Sequence, residues 1–185
     1  MNLQKENHSE PTVRDKAKVQ ALLKKADGHY RKGHRRRAAW SYEKALKQDP
    51  DNVTALVNLG LIFFTMKGKG KRALGLLQRA LAVDPDNATI LFNLATVTAH
   101  FGERSEALAL LEQAERLKPD YPDLHYNKAY LFTQVEDWEA AEKEVERELK
   151  NNPQNFNARV MKEALQHRKS LEASESEPPP GEGSQ

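Results

Sequence analysis

Prolines fall at positions 50, 85, 119 and 153, separated by 35, 34 and 34 residues. The residues around them recur in kind: QDPDN, VDPDN, KPDYP and NNPQN. Each proline lacks a backbone donor and holds the preceding residue extended, so it ends one helix and redirects the chain. Between consecutive prolines lie an apolar helical stretch, a short turn with Gly or charged residues, and a second helical stretch. A period of this length leaves few folds open, because one helix pair cannot bury its apolar face alone and must stack on its neighbours.

The filling of the period repeats as well. Repeat 2 carries Leu59, Gly60 and Phe63 in its first helix, then Ala73, Leu77 and Pro85. Repeat 1 has Ala26, Gly33, Ala38, Tyr42, Ala45 and Pro50, and repeat 3 has Leu94, Ala95, Gly102, Ala107, Leu111, Ala114 and Pro119. Repeat 4 has Ala129, Phe132, Ala141, Val145 and Pro153. The small residues let paired helices approach closely. Asn52 and Asn87 stand where a side-chain oxygen would cap the next helix.

Over roughly residues 16 to 155 this pattern resembles the tetratricopeptide repeat, four times in phase. The resemblance implies an all-α, right-handed superhelical solenoid of helix-turn-helix repeats, at about 17–50, 51–85, 86–119 and 120–153. Some positions depart from it. The pattern's Trp is absent from every first helix, His29 and Thr98 stand where an aromatic is usual, and the repeat 2 turn, MKGKGKR, has one extra residue.

After Pro153, Phe156, Val160, Ala164 and Leu171 form one stripe, which reads as the buried face of a capping helix over about 155–171. Residues 1–12 and the Pro, Glu, Ser and Gly mixture of 172–185 read as disordered flanks of a domain spanning 13–171. Thr12 and Asp15 fit a capping box for the first helix.

The bulk numbers narrow the class further. With 38% apolar and 30% charged residues, 29 basic against 27 acidic, the chain is neither a polyelectrolyte nor a membrane protein. It has no cysteine, which excludes disulfides and zinc-thiolate sites. No stretch reads as a secretory signal or a membrane span, so the expected location is cytoplasmic. His29 and His34 lie in a turn dense with Arg and lack a neighbouring acid, and no catalytic constellation, cofactor site or metal site emerges. Trp40 and Trp138 read as packing residues.

The resemblance implies that first helices line a concave groove. Eight residues after each of the first three prolines stand Asn58, Asn93 and Asn127. An amide both donates and accepts, which suits it to peptide backbone. The row is similar to the asparagine ladder by which some tetratricopeptide domains hold extended peptide. Val57, Leu61, Phe92, Tyr126 and Tyr130 would add apolar contact. The dicarboxylate clamp for Hsp70 and Hsp90 tails fails: its slots hold Leu23, Asp27, Asn58, Thr89 and Asn93, of which only Asn58 matches. A co-chaperone role is disfavoured accordingly.

On the rim, Arg31, Lys32, Arg35, Arg36 and Arg37 wrap the turn of repeat 1, and Lys67, Lys69, Lys71 and Arg72 wrap that of repeat 2. Neighbouring turns would merge into one basic edge. Glu103, Glu106, Glu136, Asp137 and Glu139, with Glu142, Glu144, Glu146 and Glu148, make the other end acidic. Such an edge attracts an anionic partner, and opposite ends allow self-association. The resulting expectation is a non-catalytic adaptor that holds an extended protein segment in its groove. The alternative is that the basic edge binds an anionic membrane surface or nucleic acid, nucleic acid being the less favoured.

Overall fold

The computed structural model describes residues 13–176, and the expectations for 1–12 and 177–185, including the Thr12 half of the capping box, lie outside them. Nine helices occur among the described residues, and no strand. They are α1 (Val13–Arg31), α2 (Arg35–Gln48), α3 (Val53–Phe64), α4 (Gly70–Val83), α5 (Ala88–His100), α6 (Arg104–Leu117), α7 (Leu124–Thr133), α8 (Trp138–Asn151) and α9 (Phe156–Ser176). The chain is thus the all-α helical repeat solenoid that the period demands. It divides into two compact units, residues up to Val97 and from Thr98 onward.

In the first unit the recurring DPDN stretch has a direct physical reading. The Asn52 side-chain oxygen accepts from the Ala55 amide at 3.1 Å, while its NH2 donates to Asp49 at 2.9 Å. Asn87 does the same with Ile90 at 3.2 Å and Asp84 at 2.8 Å. One Asn therefore caps the helix ahead and ties it to the acid before the proline. Within each hairpin the helices meet at small residues, with Ala26, Ala38, Ala45 and Ala73 wholly buried. A Cβ built on Gly60 would stand 3.2 Å from Leu77 Cγ and 3.4 Å from the Ala73 carbonyl oxygen, so α3 and α4 touch there. Gly33, at φ 74°, makes the tight turn between α1 and α2.

The second unit departs from the apolar rule at four equivalent positions. Where repeats 2 and 3 have Leu56 and Leu91, repeat 4 has His125; for Leu59 and Leu94 it has Lys128. For Leu76 and Leu110 it has Glu144, and for Ala80 and Ala114 it has Glu148. All four polar residues are buried; His125, Lys128 and Glu144 satisfy one another, and Glu148 is satisfied by the Tyr126 amide and Asn155. Glu144 binds His125 Nδ1 at 2.7 Å and Lys128 Nζ at 3.0 Å; Lys128 also reaches Glu115 at 2.8 Å, and Arg147 pairs with Glu115 at 2.9 Å. Glu148 accepts from the Tyr126 amide at 3.2 Å and from Asn155 Nδ2 at 2.8 Å, and Asn155 in turn caps α9 through the Ala158 amide at 3.1 Å. The network therefore fixes the starts of α7 and α9 against α8.

Two expectations change here. Glu144 and Glu148 are interior groups and leave the acidic surface to residues such as Glu142 and Glu146. The stripe on α9 is turned outward: Phe156 is 74% exposed, Val160 and Leu171 about half, and Ala164 is exposed. Ala158 and Leu165 are buried instead, with Met161 packed beside Leu165 against Ala129, Ala141 and Val145. The helix also runs to Ser176, past the expected end near 171. Lys162, Glu163 and Gln166 occupy the positions by which α3, through Leu59, Gly60 and Phe63, receives its partner helix. A polar face there ends the stacking.

Burial opposes ionisation of Glu144, but the hydrogen bonds from His125 and Lys128 and the charges of Lys128 and Arg147 outweigh it, holding the carboxyl at about 2. A depressed carboxyl stabilises the fold above its unfolded value and loses that contribution as pH falls through the folded one. The thermal midpoint of the chain should therefore fall, as pH is lowered from about 4.5 to about 2, more than that of a His125→Leu/Lys128→Leu/Glu144→Leu variant. At neutral pH, Lys128→Met alone should cost about 3 kcal/mol in denaturant titration, since it removes the cation shared by buried Glu144 and Glu115 and leaves Glu144 to His125 and the half-exposed Arg147. The triple leucine variant, which restores the repeat 2 residues, should be near neutral or stabilising.

Candidate functional site

In the first unit a cleft of about 370 Å³ is lined by Asp27, Tyr30, Arg31, Tyr42, Asn58 and Leu61. Its floor is a side-chain relay. The Tyr42 hydroxyl, buried at 1% exposure, donates to Asp27 and is hydrogen-bonded by the Asn58 amide. Burial, then the hydrogen bond to Asp27 and its charge, raises the Tyr42 pKa, so the phenol keeps its proton. Asn58 is held by this relay with hydrogen-bonding capacity left over, since an amide carries two donors and an acceptor with two lone pairs. The carboxylate of Asp27 stands where the clamp for acidic tails would need a cation or an amide.

The other expected groove residues of this unit divide. Leu61 lines the cleft. Val57 does not; it packs against the cluster of Leu56, Ala80 and Ile90. Phe92 and Asn93, on α5, are partly buried outside the cleft.

In the second unit a groove of about 470 Å³ runs between α7 and α9. Tyr126, Tyr130, Trp138, Phe156, Val160 and Met161 supply most of its apolar wall, and Arg168 closes one end with its guanidinium 4.1 Å from the Trp138 ring centroid. Tyr130 is 48% exposed, so an aromatic surface stands open here. Asn127 does not line it: its NH2 donates to the Asp123 carbonyl at 2.8 Å in the first turn of α7. Phe156 and Val160, assigned to a buried cap by periodicity, are groove residues. They match Val53 and Val57 in register after the capping Asn; those two pack beside Ile90 of the following repeat, and the lack of a following repeat after α9 was the available signal.

The basic runs also divide. Arg31, Lys32, Arg35, Arg36, Arg37, Lys67 and Lys71 are exposed. Arg72 is exposed as well, but it and the half-buried Lys69 stand over the Phe63 ring, 4.3 and 4.5 Å from its centroid, and Arg72 pairs with Glu43 at 3.2 Å. Part of the second run thus serves the fold, while the Arg72–Glu43 pair joins α4 to α2. The positive field registers on His29, whose pKa is lowered by partial burial and by the charges of Arg37, Lys25, His34 and Lys32. Trp40 is not a packing residue: it is 50% exposed, with Lys44 Nζ 3.8 Å from its ring centroid.

Family profiles described as tetratricopeptide repeat match residues 23–74 and 67–122, and a second such profile matches 99–165. No curated protein matches the sequence. Among solved structures the fold is similar to pilF of Pseudomonas aeruginosa (22% identity, 86% of this chain and 72% of that one, TM-score 0.76). It is similar to MamA (24% identity, 80% and 86%, TM-score 0.71) and to YrrB, described as a tetratricopeptide protein with an unusual peptide-binding site (23% identity, 85% and 77%, TM-score 0.69). Profiles that between them span most of the chain, on a fold of stacked helix pairs, make it a member of the tetratricopeptide repeat family, whose repeats are protein-interaction modules.

Proposed function

We propose that the chain is a non-catalytic adaptor that holds an extended protein segment against the first helices of its repeats, with the basic edge drawing in an anionic partner. The observation that carries this reading is the groove between α7 and α9. Its aromatic side chains lie open to solvent at a place where a chain with no partner would gain by burying them. The first unit adds a polar cleft in which Asn58 is oriented by Tyr42 and Asp27, suited to the amide of a peptide main chain. The likeness to YrrB supports peptide as the ligand class. Among the described residues no helix is long and apolar enough to cross a membrane, and we place the adaptor in the cytoplasm.

The ladder takes a narrower form. Asn58 is the member seated in a cleft, whereas Asn127 lies outside the clefts and turns one of its two donors to the Asp123 carbonyl. Panning a random peptide library on the full chain should enrich sequences with aromatic or aliphatic residues. Binding of those peptides should fall at least about tenfold in Tyr130→Ala/Phe156→Ala, with unchanged helicity and thermal midpoint, because both side chains are exposed in the free protein. Asn58→Ala should weaken binding and Asn127→Ala should leave it unaltered. Equal affinity for wild type and the double variant would refute the groove.

A further inference from the structure

The exposed face of α2 combines charge and an aromatic ring in a way the groove does not use. Trp40, Lys44 and Lys47 follow Arg36 and the adjacent Arg37 at intervals of three and four and share that face, and all five are exposed. Arg35 and Arg31 flank it at the turn, around an open hollow of about 410 Å³ lined by Gly33, His34, Arg35, Arg36 and Arg37. Three arginines occupy the first turn of a helix, where the macrodipole disfavours cations, and no acid is present in that turn. The one acid within α2, Glu43, is paired with Arg72. Among the described residues none of these arginines forms an ion pair. Trp40 stands amid them half exposed, in a position where a solubilising surface would carry no indole.

Building on the anionic-partner edge proposed above, we infer that this face docks on an anionic phospholipid membrane surface, its cations on headgroup phosphates and Trp40 at the interfacial level. The disposition of the ring decides between polyanions. Binding of single-stranded nucleic acid draws on successive aromatic rings with free faces along a groove. Here there is one ring, on an exposed helix face, and Lys44 already covers one side of it at 3.8 Å. An indole so placed, apolar in body and flanked by Lys and Arg, has the chemistry of an interfacial anchor. An acidic peptide would use the cations and leave Trp40 without a role. Docking of this kind is peripheral and needs no spanning helix.

The test is flotation of the full chain, in a Trp138→Phe background, with vesicles of phosphatidylcholine alone or with roughly a third phosphatidylserine. We expect binding to the anionic vesicles only, a blue shift of Trp40 emission on binding, and loss of both at several-fold higher salt. Arg35→Ser/Arg36→Ser/Arg37→Ser should lower partitioning on the order of 100-fold. Trp40→Ala, whose exposed position spares the fold, should lower it roughly tenfold. If Trp40→Ala floats like wild type, or the emission does not move, or oligouridine or oligoglutamate outcompetes the vesicles, membrane docking is overturned. A loss confined to the arginine variant in those competitions leaves the anionic edge standing, and an arginine variant that binds every polyanion like wild type removes the edge too. Peptide capture by the groove is read on separate variants and is unaffected by either result.

Discussion

The close approach of paired helices is the constraint from which the rest follows. At Gly60 there is no room for even a methyl group without displacing Leu77, and wholly buried alanines hold the equivalent crossings elsewhere. Because small residues bring the helix backbones together, the larger side chains of each first helix are pushed to its flanks. One flank forms the shared interior, as with Leu56, Leu59 and Ile62. The other is left to solvent, and it is there that Asn58, Leu61, Tyr126 and Tyr130 stand. A stack built this way carries an open face by construction, and its chemistry is free to vary from repeat to repeat.

The second unit shows how far that variation goes. Four interior positions that hold Leu or Ala in repeats 2 and 3 hold His125, Lys128, Glu144 and Glu148 in repeat 4. A buried ionic network is no economical route to stability, since desolvation offsets most of its Coulombic gain. What it provides is placement. Glu148 holds the Tyr126 amide and the Asn155 cap together, and these begin the two helices that wall the aromatic groove. The direction of the Glu144 and Lys128 shifts agrees with this, because each partner keeps the other charged.

The architecture was legible from sequence because its determinants are local and repeated: a proline every 34 or 35 residues, alanines in register and a capping Asn after three of the four prolines. The face of α9 was not. Its widest apolar stripe, Phe156, Val160 and Ala164, suggests burial when a helix is read by periodicity alone. Aligned on its capping residue Asn155, the same stripe falls at Val53, Val57 and Leu61 of α3, of which Leu61 lines the cleft while Val53 and Val57 pack beside Ile90 of the following repeat, a neighbour that α9 has no counterpart for among the described residues. Glu144 and Glu148 look like surface acids in a run of alternating charge, since their partners lie in other helices, 16 or more residues away for His125 and Lys128. The Asp27–Tyr42–Asn58 relay spans three helices and two repeats, and Trp40 owes its exposure to a helix face that no local pattern distinguishes from a packed one.

The central claim is that the first-helix faces are where a protein segment is held. Amide chemical-shift mapping of the full chain against a saturating peptide, selected by panning, tests it most directly. The account predicts that the largest shifts fall on residues 124–133 and 156–165, with further changes around Asn58 and Leu61. Shifts confined to the outer faces of α2, α4 and α8 would contradict it.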